Sequence, residues 1–450
     1  MDFVPHTEDE FREMLDEIGV KSFDELLSSI PSDLRKFEMK VPKGMSEMEV
    51  KSLLTSLAGK NIPTSQYDSY LGAGAYEHYI PSIVDHLAGR SEFYTAYTPY
   101  QAEASQGSLQ AMFEYQTAIC ELTEMEISNS SLYDAGSAIA EAAIAALRVG
   151  HKRNKVLVSK TVHPEHRQVV RTYLRGMGTE VVEVPYKDGV TDLSALDEAI
   201  DDDTAAVIMQ SPNFFGCIEE METASSAAHK KNALFIAVVN PITLGVLKPP
   251  GEYGADIAVG DGQPLGIPTS YGGPYLGFFA CTEKVLRKVP GRLIGLAKDT
   301  EGRRGFVMTL QAREQHIRRD KATSNICTNQ ALMAIRALIF ACALGREGIR
   351  EVGELNINNS HYAYEKVTSI TDISGKFEAP FFNEFVVQMD SPPREVNEKL
   401  LEQGILGGVP LGWWYPELDD CMLICVTETK TVEQINRFAR TLEGINCRTA

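Results

Sequence analysis

Short β-branched runs alternate with helical stretches through the middle of the chain. The spacing predicts strands over residues 156–159, 180–184, 205–210, 234–239 and 256–259, and helices over 165–176, 193–201 and 218–231. A strand that is followed by a helix and another strand normally re-enters the same sheet in a parallel direction. The pattern therefore predicts an α/β domain with a mostly parallel sheet covered by helices.

Two further regions flank this domain. Helical spacing of apolar residues over 7–30 indicates an N-terminal arm. After the domain, helices are predicted over 329–345, 349–368, 394–403 and 431–442, and extended segments over 377–389 and 421–426. We therefore expect three parts: a helical arm over 1–65, a large α/β domain over 66–328 and a smaller C-terminal α/β domain over 329–450.

The charge balance excludes several classes of partner. The chain carries 43 Lys and Arg against 62 Asp and Glu, which gives a net charge of -19. Such a field repels nucleic acids and anionic lipids. The longest apolar stretch, 331–344, contains Arg336 and is too short to cross a bilayer, and the first residues lack the pattern of an export signal. We expect a cytoplasmic protein with no nucleic-acid or membrane partner.

The cysteines and histidines do not predict a metal site. Eight cysteines are scattered along the chain without the density of a disulfide scaffold. Cys421 and Cys425 lie in a predicted strand, and no second pair with ligand spacing follows, so core packing is favoured over zinc. His163 and His166 lack the HExxH arrangement.

Common nucleotide-binding and nucleophile motifs are also missing. Gly260 and Gly262 are followed by Gly266, which does not stand at the third position of a dinucleotide fingerprint. The sequence has no Walker loop and no Gly-x-Ser-x-Gly elbow. By analogy of fold, a sheet of this kind with a small C-terminal domain is also used by enzymes that carry pyridoxal phosphate on a lysine.

The residues that pyridoxal phosphate requires are absent from their expected places. Such enzymes need an acidic residue at a strand end for the pyridine nitrogen, and a lysine roughly twenty residues later for the Schiff base. Here the strand over 234–239 ends at Asn240, and no lysine lies between Lys248 and Lys284. Asparagine supplies no negative charge to keep the ring nitrogen protonated. The residues alone leave two explanations open: a degenerate cofactor site, or a site on a different strand.

Four long segments carry a family resemblance. They are SEFYTAYTPYQAEASQG over 91–107, LKPPGEYGAD over 247–256, GDGQPLGIP over 260–268 and GRRGFVMTLQAREQH over 302–316. With these segments the chain resembles the glycine decarboxylase P-protein of the glycine cleavage system over nearly its whole length. It is similar to the first, or alpha, chain of the two-chain form. The resemblance implies a pyridoxal-phosphate-transferase-like large domain of the aspartate aminotransferase type.

The resemblance also implies an activity shared between two chains. Glycine would be decarboxylated with pyridoxal phosphate, and the remaining aminomethyl group would pass to the lipoyl arm of the H-protein. The partner, subunit 2 or beta chain, would hold the cofactor, because Gln263 and Pro264 fall where the beta chain has the His-Lys pair that bears it. Pro264 cannot form an imine. The resemblance thus implies a subunit that binds no cofactor, with Asn240 and Pro264 at the degenerate positions, and that is active only with its partner.

An aromatic loop supplies the predicted site residues. The resemblance implies that the alpha chain shapes the active site across the interface between the two chains. Tyr97, Tyr100 and Gln101 are the predicted contributors to this shared site, since phenols and an amide can orient a small amino acid without adding charge. The alternative is a buried aromatic loop that only packs the interface.

Other polar residues are weaker candidates, and each has a structural alternative. Glu103 and Gln106 precede a helix and could be capping residues instead. His163 lies near the place where related enzymes stack a ring on the cofactor, or is a surface or core histidine. Tyr133, Asp134 and Ser137 lie at the start of an alanine-rich helix. In related folds this helix start binds the cofactor phosphate; the alternative here is a leftover helix cap. A basic run could approach the partner's cofactor phosphate, or it could form a solvated helix. Its members are Arg303, Arg304, Arg313, Arg318, Arg319 and Lys321.

Two competing functions remain open from the sequence. The chain could be a catalytically inert structural or regulatory pseudoenzyme that only stabilises the beta chain. It could also be a stand-alone pyridoxal phosphate enzyme that uses an unexpected lysine such as Lys248.

Overall fold

The computed structural model describes residues 6–35, 40–150 and 152–446. The chain forms two compact units, Met1–Pro63 and Thr64–Ala450. The first unit contains α1 (Glu8–Ile18), α2 (Phe23–Leu26), α3 (Ser32–Arg35) and α4 (Glu47–Ala58). This helical content confirms the prediction of helices over 7–30.

Local capping residues begin two of the helices of the first unit, α1 and α4. A capping box begins α1: the Thr7 hydroxyl accepts the Glu10 backbone N–H, and the Glu10 carboxylate accepts the Thr7 backbone N–H. Ser46 and Glu49 make the same box at the start of α4. The apolar residues of α4 recur at positions i, i+3, i+4 and i+7, and all of them are exposed: Val50, Leu53, Leu54 and Leu57. This helix therefore presents an apolar stripe to solvent.

The second unit contains the remaining strands and helices. The strands are β1 (Asp68–Ser69), β2 (Ile127–Ser128), β3 (Lys155–Ser159), β4 (Glu180–Val184), β5 (Tyr186–Lys187), β6 (Val190–Thr191), β7 (Thr204–Gln210), β8 (Leu234–Val238), β9 (Ile257–Asp261), β10 (Gly277–Cys281), β11 (Leu293–Lys298), β12 (Arg304–Thr309), β13 (Ile373–Gly375), β14 (Glu384–Met389), β15 (Ile405–Leu406), β16 (Val409–Pro410) and β17 (Cys421–Cys425). The helices are α5 (Ser82–Ala88), α6 (Ser91–Tyr94), α7 (Gln106–Thr123), α8 (Ala135–Val149), α9 (Pro164–Arg175), α10 (Leu193–Ala199), α11 (Met221–Lys230), α12 (Gln315–Arg318), α13 (Ala331–Thr368), α14 (Pro393–Glu402) and α15 (Val432–Asn446).

A seven-stranded sheet forms the centre of this unit, in the order β2-β10-β9-β8-β7-β3-β4. The five strands β9, β8, β7, β3 and β4 are parallel to one another, whereas β10 is antiparallel to both β9 and β2. The predicted α/β class with a mostly parallel sheet is confirmed. All five predicted strands are present within one or two residues of their expected bounds.

Helices cover both faces of the sheet with different side chains. On one face α8 packs closely because alanine dominates its sequence, and all but its last two residues are buried. On the other face, large side chains such as Tyr115, Phe235 and Phe278 fill the space below α7 and α13. Burying such a ring contributes on the order of 2–3 kcal/mol relative to leaving it exposed, so both faces stabilise the sheet.

A smaller four-stranded sheet lies towards the C-terminus, in the order β13-β14-β17-β16, with antiparallel pairing throughout. Its apolar side chains form a separate core with α13, α14 and α15. The long helix α13 bends at Gly345, whose φ of 62° is left-handed. This bend matches the predicted division into two helices. Side chains up to Ile357 pack on the core of the large sheet, and those from Tyr362 onward pack on the core of the small sheet.

None of the helices in the described part of the chain combines the length and the apolarity that a membrane span requires. Within the described ranges, no three His, Cys, Asp or Glu side chains converge as metal ligands would. The described cysteines are all free thiols, and Cys447 lies outside the described residues.

Candidate functional site

A small cavity lies at the carboxyl ends of β7, β8 and β9, where open α/β sheets bind their ligands. Its volume is about 50 Å³. The lining residues are Gly74, Tyr76, Ala135, His163, His166, Gln210, Pro212, Val238, Val239, Asn240, Gly260, Asp261, Pro264 and Asn383. The cavity thus brings together Asn240, Pro264 and His163, three of the positions that the sequence had singled out.

Asn240 and Pro264, at the two degenerate positions, have structural roles within this chain. Asn240 accepts a hydrogen bond from the Ile242 N–H at 3.0 Å, so its side chain caps the turn that follows β8. Pro264 is buried in the cavity wall and offers no amine. Among the described residues, no lysine lines this cavity. A Schiff base therefore has no place to form here.

Asp261, the last residue of β9, lies at the start of α8. Its Oδ2 accepts a hydrogen bond from the Ala135 N–H at 3.2 Å, and its Oδ1 accepts from Gln263 at 2.9 Å and Leu276 at 3.3 Å. Burial raises the pKa of Asp261 to about 6, although these N–H groups favour the charged form. Asp261 was not among the site residues predicted from the sequence.

The start of α8 is also capped from within. Asp134 accepts the Ser137 N–H at 2.7 Å, and Ser137 in turn accepts the Asp134 N–H at 3.2 Å. These bonds form the helix cap that the sequence had left as the alternative for Asp134 and Ser137. The Tyr133 hydroxyl accepts from the backbone of Cys327 at 3.3 Å.

Two histidines stack inside the cavity wall. The rings of His163 and His166 lie 4.3 Å apart. His163 donates from Nε2 to the Ala73 carbonyl at 2.9 Å and accepts the Glu165 N–H at Nδ1, so its ring is neutral. Burial, together with His163, lowers the pKa of His166 to about 3. His163 is therefore a buried histidine that hydrogen-bonds to the backbone, which matches the alternative of a core histidine.

A loop around residues 72–76 lines one side of the cavity. The Gln263 amide accepts from the Tyr76 N–H at 2.9 Å and donates to the Tyr76 carbonyl at 2.8 Å. From the small sheet, Glu384 accepts the Ala73 N–H at 2.6 Å and the Tyr76 hydroxyl at 2.7 Å. Only glycine fits at position 72, because an added Cβ would lie 2.6 Å from the Cβ of Cys425 and closer still to Glu384.

These observations test whether pyridoxal phosphate fits this chain. Sites for molecules of drug-like size usually enclose about 300–1,000 Å³, whereas this cavity encloses about 50 Å³. Its wall has a proline where an amine is needed, and a carboxylate lies at the helix start where a phosphate would bind. The residues present do not fit the cofactor.

The predicted shared-site residues lie on the surface. Tyr97 is 78% exposed and Tyr100 is 67% exposed, and Gln101 is exposed as well. In the described part of the chain, none of the three lines the cavity. The preceding residue Phe93 packs into the main core and anchors this segment. The loop therefore lies on the surface of the chain.

Gln106 has a structural role. Its amide accepts the Phe306 N–H at 2.8 Å and donates to the carbonyls of Phe306 at 2.8 Å and Ala102 at 2.7 Å, so it joins α7 to β12. Glu103 is exposed.

The basic run does not form the single solvated helix considered from the sequence. Arg304 lies in β12, and α12 has four residues. Arg303 pairs with Asp299 at 2.8 Å near the β11–β12 turn, whereas the Arg313 guanidinium donates to the backbone carbonyls of Val289, Gly291 and Leu310. The exposed members are Arg303, Arg304, Arg318, Arg319 and Lys321. The hairpin had no clear period in the sequence.

Comparison with known proteins gives a family. The sequence profile described as "Glycine cleavage system P-protein" matches residues 1–442. The chain belongs to this family. A relative from Anoxybacillus flavithermus is 55% identical over 446 residues, which cover 99% of each chain, and one from Bacillus subtilis is 54% identical over 442 residues, which cover 98% of each. Both are named probable glycine dehydrogenase (decarboxylating) subunit 1.

Solved structures agree with the family. An inhibitor-bound glycine decarboxylase (P-protein) of the glycine cleavage system is 43% identical, with a TM-score of 0.90, over 99% of this chain and all of that one. A sphingosine-1-phosphate lyase from Burkholderia pseudomallei, at 15% identity and a TM-score of 0.65 over 91% of this chain and 92% of that one, shares the fold alone. The resemblance of the four sequence segments to the P-protein family is thereby confirmed.

Proposed function

We propose that this chain is the subunit of a cytoplasmic, heteromeric glycine dehydrogenase (decarboxylating) that does not bear the cofactor. Subunit 2 would hold pyridoxal phosphate, and the aminomethyl group left from glycine would pass to the lipoyl arm of the H-protein. We also retain, as a proposal, the division into an arm over 1–65, a large domain over 66–328 and a small domain over 329–450.

One observation carries this proposal. The chain belongs to a decarboxylase family, yet the place in its own sheet that corresponds to the cofactor site has Pro264, a capping Asn240 and a cavity of about 50 Å³. A family member without room for the cofactor needs a partner that has it. The relatives named subunit 1 support such a division of labour.

The surface of the chain supports a partner as well. The apolar stripe of α4 and the aromatic loop with Tyr97 and Tyr100 are both exposed. Exposed apolar groups of this kind mark interaction sites, because leaving them in water has a free-energy cost.

The proposed work of this chain is orientation. The hydroxyl groups of Tyr97 and Tyr100 and the amide of Gln101 would contact glycine at the shared site, where uncharged donors and acceptors fix its position without adding charge. When bound to subunit 2, the cofactor supplies the electron sink for decarboxylation.

Reconstitution tests the proposal. The isolated chain is expected to give no lysine-linked chromophore with pyridoxal phosphate and no glycine-dependent exchange of carbon dioxide. Adding subunit 2 and the H-protein is expected to restore exchange. A chromophore on the isolated chain would instead support the stand-alone enzyme.

Substitutions separate an active subunit from an inert scaffold. Tyr97→Phe and Tyr100→Phe are expected to lower exchange at least tenfold without loss of assembly. Tyr94→Phe is the matched control, because Tyr94 is a neighbouring tyrosine that is 69% exposed. Unchanged turnover in all three variants, with intact assembly, would favour the scaffold.

A further inference from the structure

The first turn of α8 would be an anion site if it were left open. Helix starts expose backbone N–H groups and the positive end of the helix dipole, which together bind phosphate in many folds. Here the Ala135 N–H donates to Asp261 and the Ser137 N–H donates to Asp134. The chain thus supplies its own anions at this helix start.

Asp261 receives hydrogen bonds from three separate segments. The Ala135 N–H comes from α8, the Gln263 N–H from the loop after β9, and the Leu276 N–H from the residue before β10. N–H groups that converge from different segments in this way resemble the surroundings of a bound anion. The carboxylate occupies the position of that anion.

An external phosphate could not share this place. A phosphate monoester carries about 1.5 to 2 negative charges at neutral pH and would meet the ionised Asp261 at contact distance. The adjoining cavity of about 50 Å³ leaves no room for the two groups side by side. Burial raises the pKa of Asp261 to about 6, so the carboxylate is mostly ionised at pH 7.5.

We propose that Asp261 is a built-in anion that takes the place of a ligand's phosphate and thereby excludes phosphorylated cofactors from this chain. Pro264 removes the covalent attachment, and Asp261 independently removes the phosphate subsite. The inference rests on the proposed function only in taking pyridoxal phosphate as the relevant cofactor.

The test uses the full chain with inorganic phosphate and pyridoxamine 5′-phosphate as probes, because pyridoxamine phosphate has no aldehyde to react with surface lysines. Asp261→Ser removes the carboxylate and frees the N–H groups. Asp261→Asn is the matched control, since its amide still fills the space and accepts hydrogen bonds. Thermal unfolding at pH 7.5 is compared with potassium chloride at equal ionic strength, and phosphorus NMR of each probe is recorded.

Wild type and Asp261→Asn are expected to respond to neither probe. In Asp261→Ser, inorganic phosphate is expected to raise the unfolding midpoint by about 2 °C at tenfold excess over its dissociation constant and to broaden its phosphorus signal, whereas pyridoxamine 5′-phosphate, which is too large for the cavity, is expected to give no response. A folded Asp261→Ser chain without any response would overturn the inference. If that variant does not fold, a phosphate-specific response of the wild type would overturn it equally. The proposed function is judged separately, by reconstitution with subunit 2.

Discussion

Replacing Glu384 by glutamine should remove an unusual pH dependence of stability. Glu384 is 2% exposed and accepts hydrogen bonds from the Ala73 N–H and the Tyr76 hydroxyl. Burial raises its pKa from the ordinary 4.5 to about 7. Because the folded state holds this proton more tightly than the unfolded state, the group destabilises the fold as pH rises.

The size of the effect follows from the two pKa values. With a pKa of 4.5 in the unfolded chain and about 7 in the folded chain, the free energy of unfolding falls by about 2–3 kcal/mol between pH 5 and pH 8 through this group. Glutamine at 384 has a carbonyl for the Ala73 N–H and an amide that can donate to the Tyr76 oxygen, but it has no charge to bury. Its stability should therefore lack this fall.

The assay is urea unfolding of the isolated chain from pH 5 to pH 8, in wild type, Glu384→Gln and the control Glu398→Gln. The side chain of Glu398 is 69% exposed, so its substitution should leave the pH profile unchanged. Glu384→Gln should become more stable than wild type above pH 7, and the difference between them should grow with pH. Parallel profiles for Glu384→Gln and wild type would refute the assignment.

Two further substitutions test how the site is held together. Gly72→Ala should lower the unfolding free energy by about 1–3 kcal/mol, because the added Cβ would lie 2.6 Å from the Cβ of Cys425; a thermal midpoint equal to that of wild type would contradict this packing. Gln106→Ala should cost about 1–3 kcal/mol in urea unfolding, since the Phe306 N–H loses its partner. Gln110→Ala should change little, because the Gln110 amide donates to the exposed Glu114 carboxylate of the same helix rather than to a buried backbone group.

The sequence predicts the parallel strands well because each has a local signal. Residues 180–184, for example, are a short run rich in valine between Thr179 and Pro185, and they form β4 at those bounds. The bend of α13 was predictable from Gly345 for the same reason. The antiparallel strand β10 and the β11–β12 hairpin were missed, because they lie outside the alternation of strands and helices from which the parallel strands were predicted.

The site was predictable only where chemistry is visible in single residues. Pro264 indicates that the amine for a Schiff base is missing, and Asn240 indicates that the negative charge for the ring nitrogen is missing. Asp261 gives no such indication, because two of its three donors, Ala135 and Leu276, come from segments far from it in the sequence. Likewise the contact of Glu384 with Tyr76 joins residues more than three hundred positions apart. Such convergence is a property of the folded chain.

The exposed apolar residues of the first 63 positions have a consequence for the life of the protein in the cell. Roughly half of the large apolar side chains that are exposed in the described residues belong to this short segment. A copy synthesised without a partner would expose this apolar surface to chaperones and proteases, which continuously remove such chains. Cellular quality control would in this way keep the amount of this polypeptide matched to whatever covers that surface.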